Sequence, residues 1–422
     1  MSGMASNSVE LLDRLGLIVT KGAVRAGSAQ DAVIGTEVKC VAEPATESEI
    51  AALLRFASEA DVQVAPCGGG TKLEWGTAPK SVDVLLRTAG LNRIVEHAPD
   101  DMTVTVEAGV RISELQALLA ERGQRLALDP LWPHRATVGG AVSANDSGAM
   151  RMRYGGIRDL IIGATIVLSN GTIAKCGGKV VKNVAGYDMQ KLVTGAMGTL
   201  GVITRAVFRL HPLPEQSRTL RFAFAEPGAA NAFMLAVCDS SAVPVAMQMS
   251  CGAEDGIAVD VEIEGCPAGV EAQCETVCRL AASPPAAEQN REVWRAREAL
   301  WGDQGATVCK LSTLPNLIAQ LADAVHDWAR DAKWQMVAYP TGLVWLRVND
   351  AESTKAAALI ASLRQQLAAH GGSLVVLRAS PPLRAAVDVW GEVGNSLPLM
   401  KRIKEQFDPG AILNRGRFVG GI

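Results

Sequence analysis

PCGGGT, residues 66–71, follows the apolar run Val62 to Ala65 and sets three consecutive glycines directly after a strand-like segment. Glycine lets a backbone approach a ligand closely, and successive amide N–H groups can converge on anionic oxygens. Two further segments share this character, TVGGAVSANDSG at 137–148 and GAMGTLGVIT at 195–204. Thr71, Thr137, Ser143 and Ser147 add hydroxyl donors. Taken singly, each segment is explained as well by tight turns in a β-rich domain. Three together suit a pyrophosphate. The commoner phosphate loops are absent: no G-x-G-x-x-G follows the first strand and no G-x-x-x-x-G-K-[ST] occurs, which removes the Rossmann and P-loop readings. Neither H-E-x-x-H nor G-x-S-x-G is present, so zinc protease and serine hydrolase chemistry fall away too.

Working outward, Thr46 and Glu49 form the ends of a capping box before the periodic residues Ile50, Leu53, Leu54 and Ala57, which predicts a helix to about Ala60. Strands are expected at Val62 to Ala65, Ser81 to Leu86 and Met102 to Glu107, and a second capping box, Ser113 with Gln116, opens another helix. Between 135 and 205 there are 13 glycines in 71 residues, a density that argues against helices there. The stretch His211 to Pro214 reads as a boundary, after which strand and Ala-rich helix signals alternate to about Leu399. The domain reading is an accessory N-terminal segment (1–35), a glycine-rich domain (36–213), a second domain (214–400) and a closing segment (401–422).

Composition narrows the class. The 422 residues are 48% hydrophobic and 20% charged, in the range of a folded globular chain of two or three domains. Lys plus Arg number 41 against 44 for Asp plus Glu, with no run of like charges, which disfavours nucleic acid as a partner. No apolar stretch approaches the ~20 residues of a membrane span, and the N-terminus does not read as a secretory signal, so the expectation is cytoplasmic. The nine cysteines are scattered without paired C-x-x-C spacing, so neither a metal site nor an iron–sulfur cluster is expected. Most are expected to be buried free thiols.

The glycine segments, with YGGIRDLIIGATIVLSNGTI (154–173) and KNVAGYDMQKLVTGAMGTLGVIT (182–204), resemble the FAD-binding domain of the vanillyl-alcohol oxidase / p-cresol methylhydroxylase (PCMH) superfamily over about residues 36–213. KNVAGYD followed by GTLGVIT is similar to the GlcE-type FAD-binding subunit of bacterial glycolate oxidase. FDPGAILNRGRF (407–418) resembles the superfamily's closing segment, with Arg415 where a proline is usual. The resemblance implies an α+β fold, a two-subdomain PCMH-type FAD domain with an α/β cap. It implies that Pro66, Cys67, Gly68, Gly69, Gly70 and Thr71 hold the FAD pyrophosphate. Thr137, Gly139, Gly140, Ser143 and Asn145 would line the second side, extended by Ser147 and Gly148. Gly198, Gly201, Val202 and Ile203 would pack on the ribose and adenine. Some relatives tether the flavin through a His after the first loop; Lys72 stands there instead, so FAD is expected to be noncovalent.

Oxidising a 2-hydroxy acid needs a clamp for the carboxylate and a base for the hydroxyl proton. The H-x-G-D-G-N-x-H cluster of related hydroxyacid dehydrogenases is absent, the comparable region reading AYPTGLVWLRV (338–348). His134, Arg297, Lys310 and Arg347 are the polar candidates, and none is assigned a catalytic role. Six of eight Trp lie after residue 290; Trp294 and Trp301, seven apart, are expected on one helical face, as core filling or as a partner surface. The resemblance implies a second FAD-binding subunit and an iron–sulfur subunit as partners, with glycolate oxidised by the complex. The alternative is a self-sufficient FAD-dependent oxidoreductase for another alcohol or 2-hydroxy acid, and a third reading is a structural subunit whose FAD site has decayed.

Overall fold

A computed structural model describes residues 2–179, 186–254, 256–282, 284–289, 291–303, 305–329, 332–349 and 352–422; the first four residues of KNVAGYD fall outside these. The chain divides into two compact units, one of residues 1–147, 156–213 and 392–422, the other of 148–155 and 214–391.

The first unit holds two sheets. One comprises β1 (Ala23–Ala26), β2 (Val38–Glu43), β3 (Val64–Cys67) and β4 (Val82–Arg87) in the order β1-β2-β4-β3, with β2, β4 and β3 parallel. Its central strands are nearly continuous apolar runs, as strands covered on both faces must be. The helix Glu47–Glu59 lays Ile50, Leu53, Leu54 and Ala57 into the same buried cluster as Cys40, Val64, Val84 and Leu86. Thr46 Oγ1 accepts from the Glu49 amide at 3.2 Å, while the Glu49 carboxylate reaches past the cap to the amides of Ala45 (2.9 Å) and Lys21 (2.6 Å).

The second sheet comprises β5 (Ile94–Ala98), β6 (Thr103–Glu107), β8 (Ile161–Val167), β9 (Ile173–Gly177) and β10 (Val202–Arg209), ordered β5-β6-β10-β8-β9 and antiparallel throughout. The core of this sheet includes Val104, Val106, Ile166, Ala206 and Phe208 under the helix Ile112–Ala120. A short pair, β7 (Gln124–Arg125) with β11 (His211–Pro212), stands apart.

The second unit is built on an eight-stranded antiparallel sheet. Its strands are β12 (Gln216–Phe224), β13 (Ala246–Gly252), β14 (Gly256–Gly265), β15 (Ala287–Gln289), β16 (Thr307–Ser312), β17 (Lys333–Ala338), β18 (Leu343–Asn349) and β19 (Ser373–Arg378), in the order β15-β12-β14-β13-β17-β18-β16-β19. One face carries Leu220, Met249, Val261, Leu311, Met336, Leu346 and Val376 into a core with the helices Pro227–Cys238, Pro267–Ala281, Ile318–Trp328 and Ser353–Ala368.

Several local expectations differ from the structure. Residues 1–35 include a helix, Ser2–Ile18, whose Leu11 and Leu15 enter the first sheet's core, and a strand of that sheet. The second capping box does not form, because Gln116 is spent on the backbone of Leu126, donating at 2.6 Å and accepting at 3.1 Å. The glycine-dense region does carry helices, among them Val138–Ala144 and Met189–Val193. Tight packing explains the first: a Cβ on Gly139 would come within 2.8 Å of Ala108 Cβ, so small size there serves contact with a neighbour rather than a turn. Trp294 and Trp301 are not on one helix, since Trp294 lies in a 3-10 turn (Arg291–Arg295) and Trp301 beyond the short helix that follows it (Ala296–Ala299).

Candidate cofactor site

Strand β3 ends at Cys67 and the chain enters the triple glycine, with Gly70 at φ +72°. A Cβ on Gly68 would sit 2.0 Å from Thr137 Oγ1, and one on Gly69 would sit 1.8 Å from the Arg135 carbonyl oxygen. The loop is therefore pressed on the segment before the second glycine pair. Among the described residues none offers an acceptor to the amides of Gly68, Gly69 or Thr71, and the Gly70 amide faces the Cys67 sulfur. Burial pushes the Cys67 thiol pKa up, so it stays a neutral SH.

A cleft opens over this loop. Residues 66–73 form one wall, with Gly140, Ser143 and Ala144 opposite and Met197, Asn414 and Arg417 completing the rim. It continues over Pro66, Cys67 and Gly68 into a part bounded by Thr88, Gly139, Gly198, Gly201, Val202 and Ile203. Four candidates stand elsewhere. Thr137 lies behind the loop and caps the helix Val138–Ala144. Asn145 ends that helix in the left-handed conformation, and Ser147 Oγ accepts from the Ile157 amide at 3.1 Å. Gly148 groups with the second unit. Turn geometry and internal hydrogen bonds account for Asn145 and Ser147, which line neither part of the cleft.

The closing segment contributes what the glycine motifs do not announce. The Val64 amide donates to Ile412 O at 2.8 Å and the Asn414 amide to Val64 O at 2.9 Å, so residues 412–414 run beside β3. Lys404 Nζ, buried, donates to Asp408 (2.5 Å), Leu413 O (2.9 Å) and Thr199 O (2.9 Å). Burial pulls its pKa down, and the Asp408 carboxylate opposes that shift. Arg417 donates to the carbonyls of Leu73 (2.9 Å) and Trp75 (3.0 Å), holding the chain just after the glycine loop. Arg415 is exposed, and the turn is made by Asn414 and Gly416 at φ +46° and +79°.

Behind the cleft wall, Lys72 Nζ lies 3.0 Å from Asp146 Oδ2, with both side chains buried. The ammonium sits 5.6 Å from the Trp75 ring centre and 5.8 Å from that of Trp132. Asp146 also accepts from the Leu131 amide at 2.8 Å.

The second unit holds a separate cationic cluster. Trp345, fully buried on β18, has the Arg297 guanidinium 4.9 Å and the Lys310 ammonium 5.5 Å from its ring centre. Lys310 is Trp345's register partner on β16. Arg347, two residues on and thus on the same sheet face, buries an Nε that has no hydrogen-bond partner among the described residues. Nearby, Trp301 stacks with Arg378 at 4.7 Å, and Trp294 donates to Thr219 Oγ1 at 3.3 Å. Trp334 is in the core and Trp328 and Trp390 pack against it, so these three are packing residues.

These features fit a dinucleotide: an amide nest for a diphosphate, glycines where no Cβ fits, and an apolar continuation at Val202 and Ile203. A family model described as an FAD binding domain matches residues 38–177. The chain carries an FAD-binding domain over these residues. Chitooligosaccharide oxidase shares its fold at a TM-score of 0.69 with 15% identity, covering 96% of this chain and 97% of that one. Alkyldihydroxyacetonephosphate synthase does so at 0.68 with 17% identity, covering 90% and 76%. In sequence, this FAD-binding oxidoreductase is 27% identical to glycolate oxidase subunit GlcD of Bacillus subtilis over 89% of its own length and 88% of the relative's. It is 36% identical to the mitochondrial cytochrome D-lactate dehydrogenase of Arabidopsis thaliana, over 41% of this chain and 30% of that protein. Against D-2-hydroxyglutarate dehydrogenase of Bos taurus the identity is 32% over 42% and 32%. Among the described residues no helix is long and apolar enough to cross a membrane, and no three His, Cys, Asp or Glu side chains gather as a metal-ligand set.

Proposed function

We propose that this chain is the FAD-binding subunit of a glycolate oxidase or dehydrogenase, oxidising glycolate and similar 2-hydroxy acids beside a second flavin subunit and an iron–sulfur subunit. The observation that carries this reading is the similarity to a glycolate oxidase subunit along nearly the whole of both chains. Bound FAD would supply a two-electron acceptor for the hydride leaving the hydroxyl-bearing carbon. The amides of Gly68, Gly69 and Thr71 would hold its diphosphate, Ser143 would donate from the facing helix, and Gly198, Val202 and Ile203 would pack against its apolar parts. Lys72, engaged with Asp146, leaves the cofactor noncovalent.

A second reading, a self-sufficient 2-hydroxy-acid oxidoreductase, has its own support in the second unit. Lys310 and Arg347 beside Trp345 supply cations that suit a substrate carboxylate. The test is anaerobic visible absorption of the purified chain before and after glycolate, then D-lactate. A yellow chain that bleaches only with partner subunits present supports the complex; bleaching of the isolated chain makes it the dehydrogenase. A colourless chain that cannot be reconstituted with FAD overturns both.

A further inference from the structure

We propose that the buried Lys72–Asp146 pair sets the charge of the cofactor cradle, with Lys72 as its positive pole toward the FAD diphosphate and Asp146 as the counter-charge that fixes and attenuates it. Lys72 belongs to the cleft wall, whereas Asp146 is fully buried and does not line the cleft. Lys72 directly follows Thr71 and lines the cleft while Asp146 does not, so the cationic member of the pair is the one on the cleft side. Trp75 and Trp132 flank the ammonium and exclude water from it, and Thr71 Oγ1 stands 3.4 Å from Nζ. A charge in such surroundings acts on a nearby anion through a much lower effective dielectric than water's.

Two positions on one pair then have opposite consequences. Removing Lys72 takes away the positive pole and leaves a buried carboxylate behind the anion site. Neutralising Asp146 leaves the ammonium uncompensated and raises the potential at the nest. The substitution Asp146→Asn preserves shape and one carbonyl oxygen, which in the place of Oδ2 accepts from both the Leu131 amide and Lys72. A purely structural latch has no such asymmetry, because both changes would loosen the same contact. Lys72 is in these terms a positioning and charge-setting residue for the cofactor.

The test uses the full-length apoprotein with FAD as titrant, for wild type and the variants K72M, K72Q, K72R and D146N. K72M is expected to weaken FAD binding by about tenfold or more, K72R to recover most of the loss, and D146N to bind at least as tightly as wild type. K72Q keeps a hydrogen bond to Asp146 without the charge and carries the same expectation as K72M if that variant does not fold. In the holoprotein, the flavin midpoint potential should shift far less than the affinity in all four variants, because two-electron reduction places its charge on the isoalloxazine ring and leaves the diphosphate held by the nest unchanged. Equal weakening by D146N and K72M, or unchanged affinity in the neutral Lys72 variants, overturns the proposal.

Discussion

Asn414 Nδ2 donates to the Met197 carbonyl at 2.6 Å, joining positions 217 residues apart at the rim of the cofactor cleft. The Met197 amide in turn donates to Ser143 O at 2.8 Å. Three segments distant in sequence are therefore linked: the second glycine helix, the turn before β10 and the closing segment. A Cβ on Gly198 would lie 3.2 Å from Asn414 Nδ2 and 3.4 Å from Pro66 Cγ, which ties the first glycine loop into the same junction.

Asn414→Ala should accordingly weaken FAD binding several-fold while costing about 2 kcal/mol of global stability, from the two side-chain hydrogen bonds lost, one donated to Met197 O and one accepted from Arg417. Titration of the apoprotein with FAD, beside urea unfolding of apo and holo forms, separates the two effects. An FAD affinity equal to wild type would mean that the closing segment does not complete the site.

Gly69→Ala is the sharper test of the nest itself. The added methyl would meet the Arg135 carbonyl at 1.8 Å, and the obstruction is backbone, so the loop has to move away from residues 135–137. The expected product is a folded chain purified without yellow colour. Far-ultraviolet circular dichroism and flavin absorbance together read it. Gly228→Ala, with no described residue within 4 Å of its Cβ, should keep its flavin.

The sequence shows such sites unevenly. The helix Glu47–Glu59 is legible because its cap and apolar spacing are local, within a dozen residues. The triple glycine is legible because few other structures require it. The helix Val138–Ala144 hides, since its Gly139 serves contact with Ala108, a residue some 30 positions earlier. Lys72 reads from sequence only as the absence of a tether, and Asp146 as one polar residue in a loop. Their 3.0 Å pairing depends on the two glycine segments being brought together. Likewise the resemblance of residues 407–418 places the closing segment near the FAD domain, but singling out Asn414 and Arg417 requires seeing which carbonyls they reach.

Asp31 gives a pH prediction for the N-terminal region. The Arg25 guanidinium, donating twice at 2.7 Å, holds its pKa well below the usual carboxylate range, with Ser28 assisting against the opposing effect of burial. A depressed native pKa means that the unfolded state binds the proton more readily. The contribution is therefore complete above the unfolded value of about 4 and is lost as pH falls toward the lower native one. The stability difference between wild type and Asp31→Asn should be constant from neutral pH down to about pH 5 and shrink below it. Urea midpoints measured from pH 7 to 3 provide the check. A difference that grows on acidification would contradict this assignment.

The cationic cluster on the second unit's sheet decides how far this chain handles substrate by itself. Arg297 and Lys310 are both within cation–π distance of the buried Trp345, and among the described residues none offers an acceptor to the buried Nε of Arg347. Arg297 is buried and Lys310 and Arg347 are half-buried, so these cations have lost part of their hydration before any ligand arrives, and a carboxylate meeting them forms charge-assisted hydrogen bonds without competing with all of it. Lys310→Met and Arg347→Met should each raise KM for the 2-hydroxy acid by about tenfold or more, the equivalent of one charged hydrogen bond, in whichever assembly turns over. FAD content and the visible spectrum should stay as in wild type, since neither residue lines the cofactor cleft. Steady-state kinetics with glycolate and with D-lactate read the first effect and absorbance the second. A KM unchanged in both variants would move the carboxylate clamp away from this sheet and toward the partner subunit, leaving this chain the carrier of the flavin.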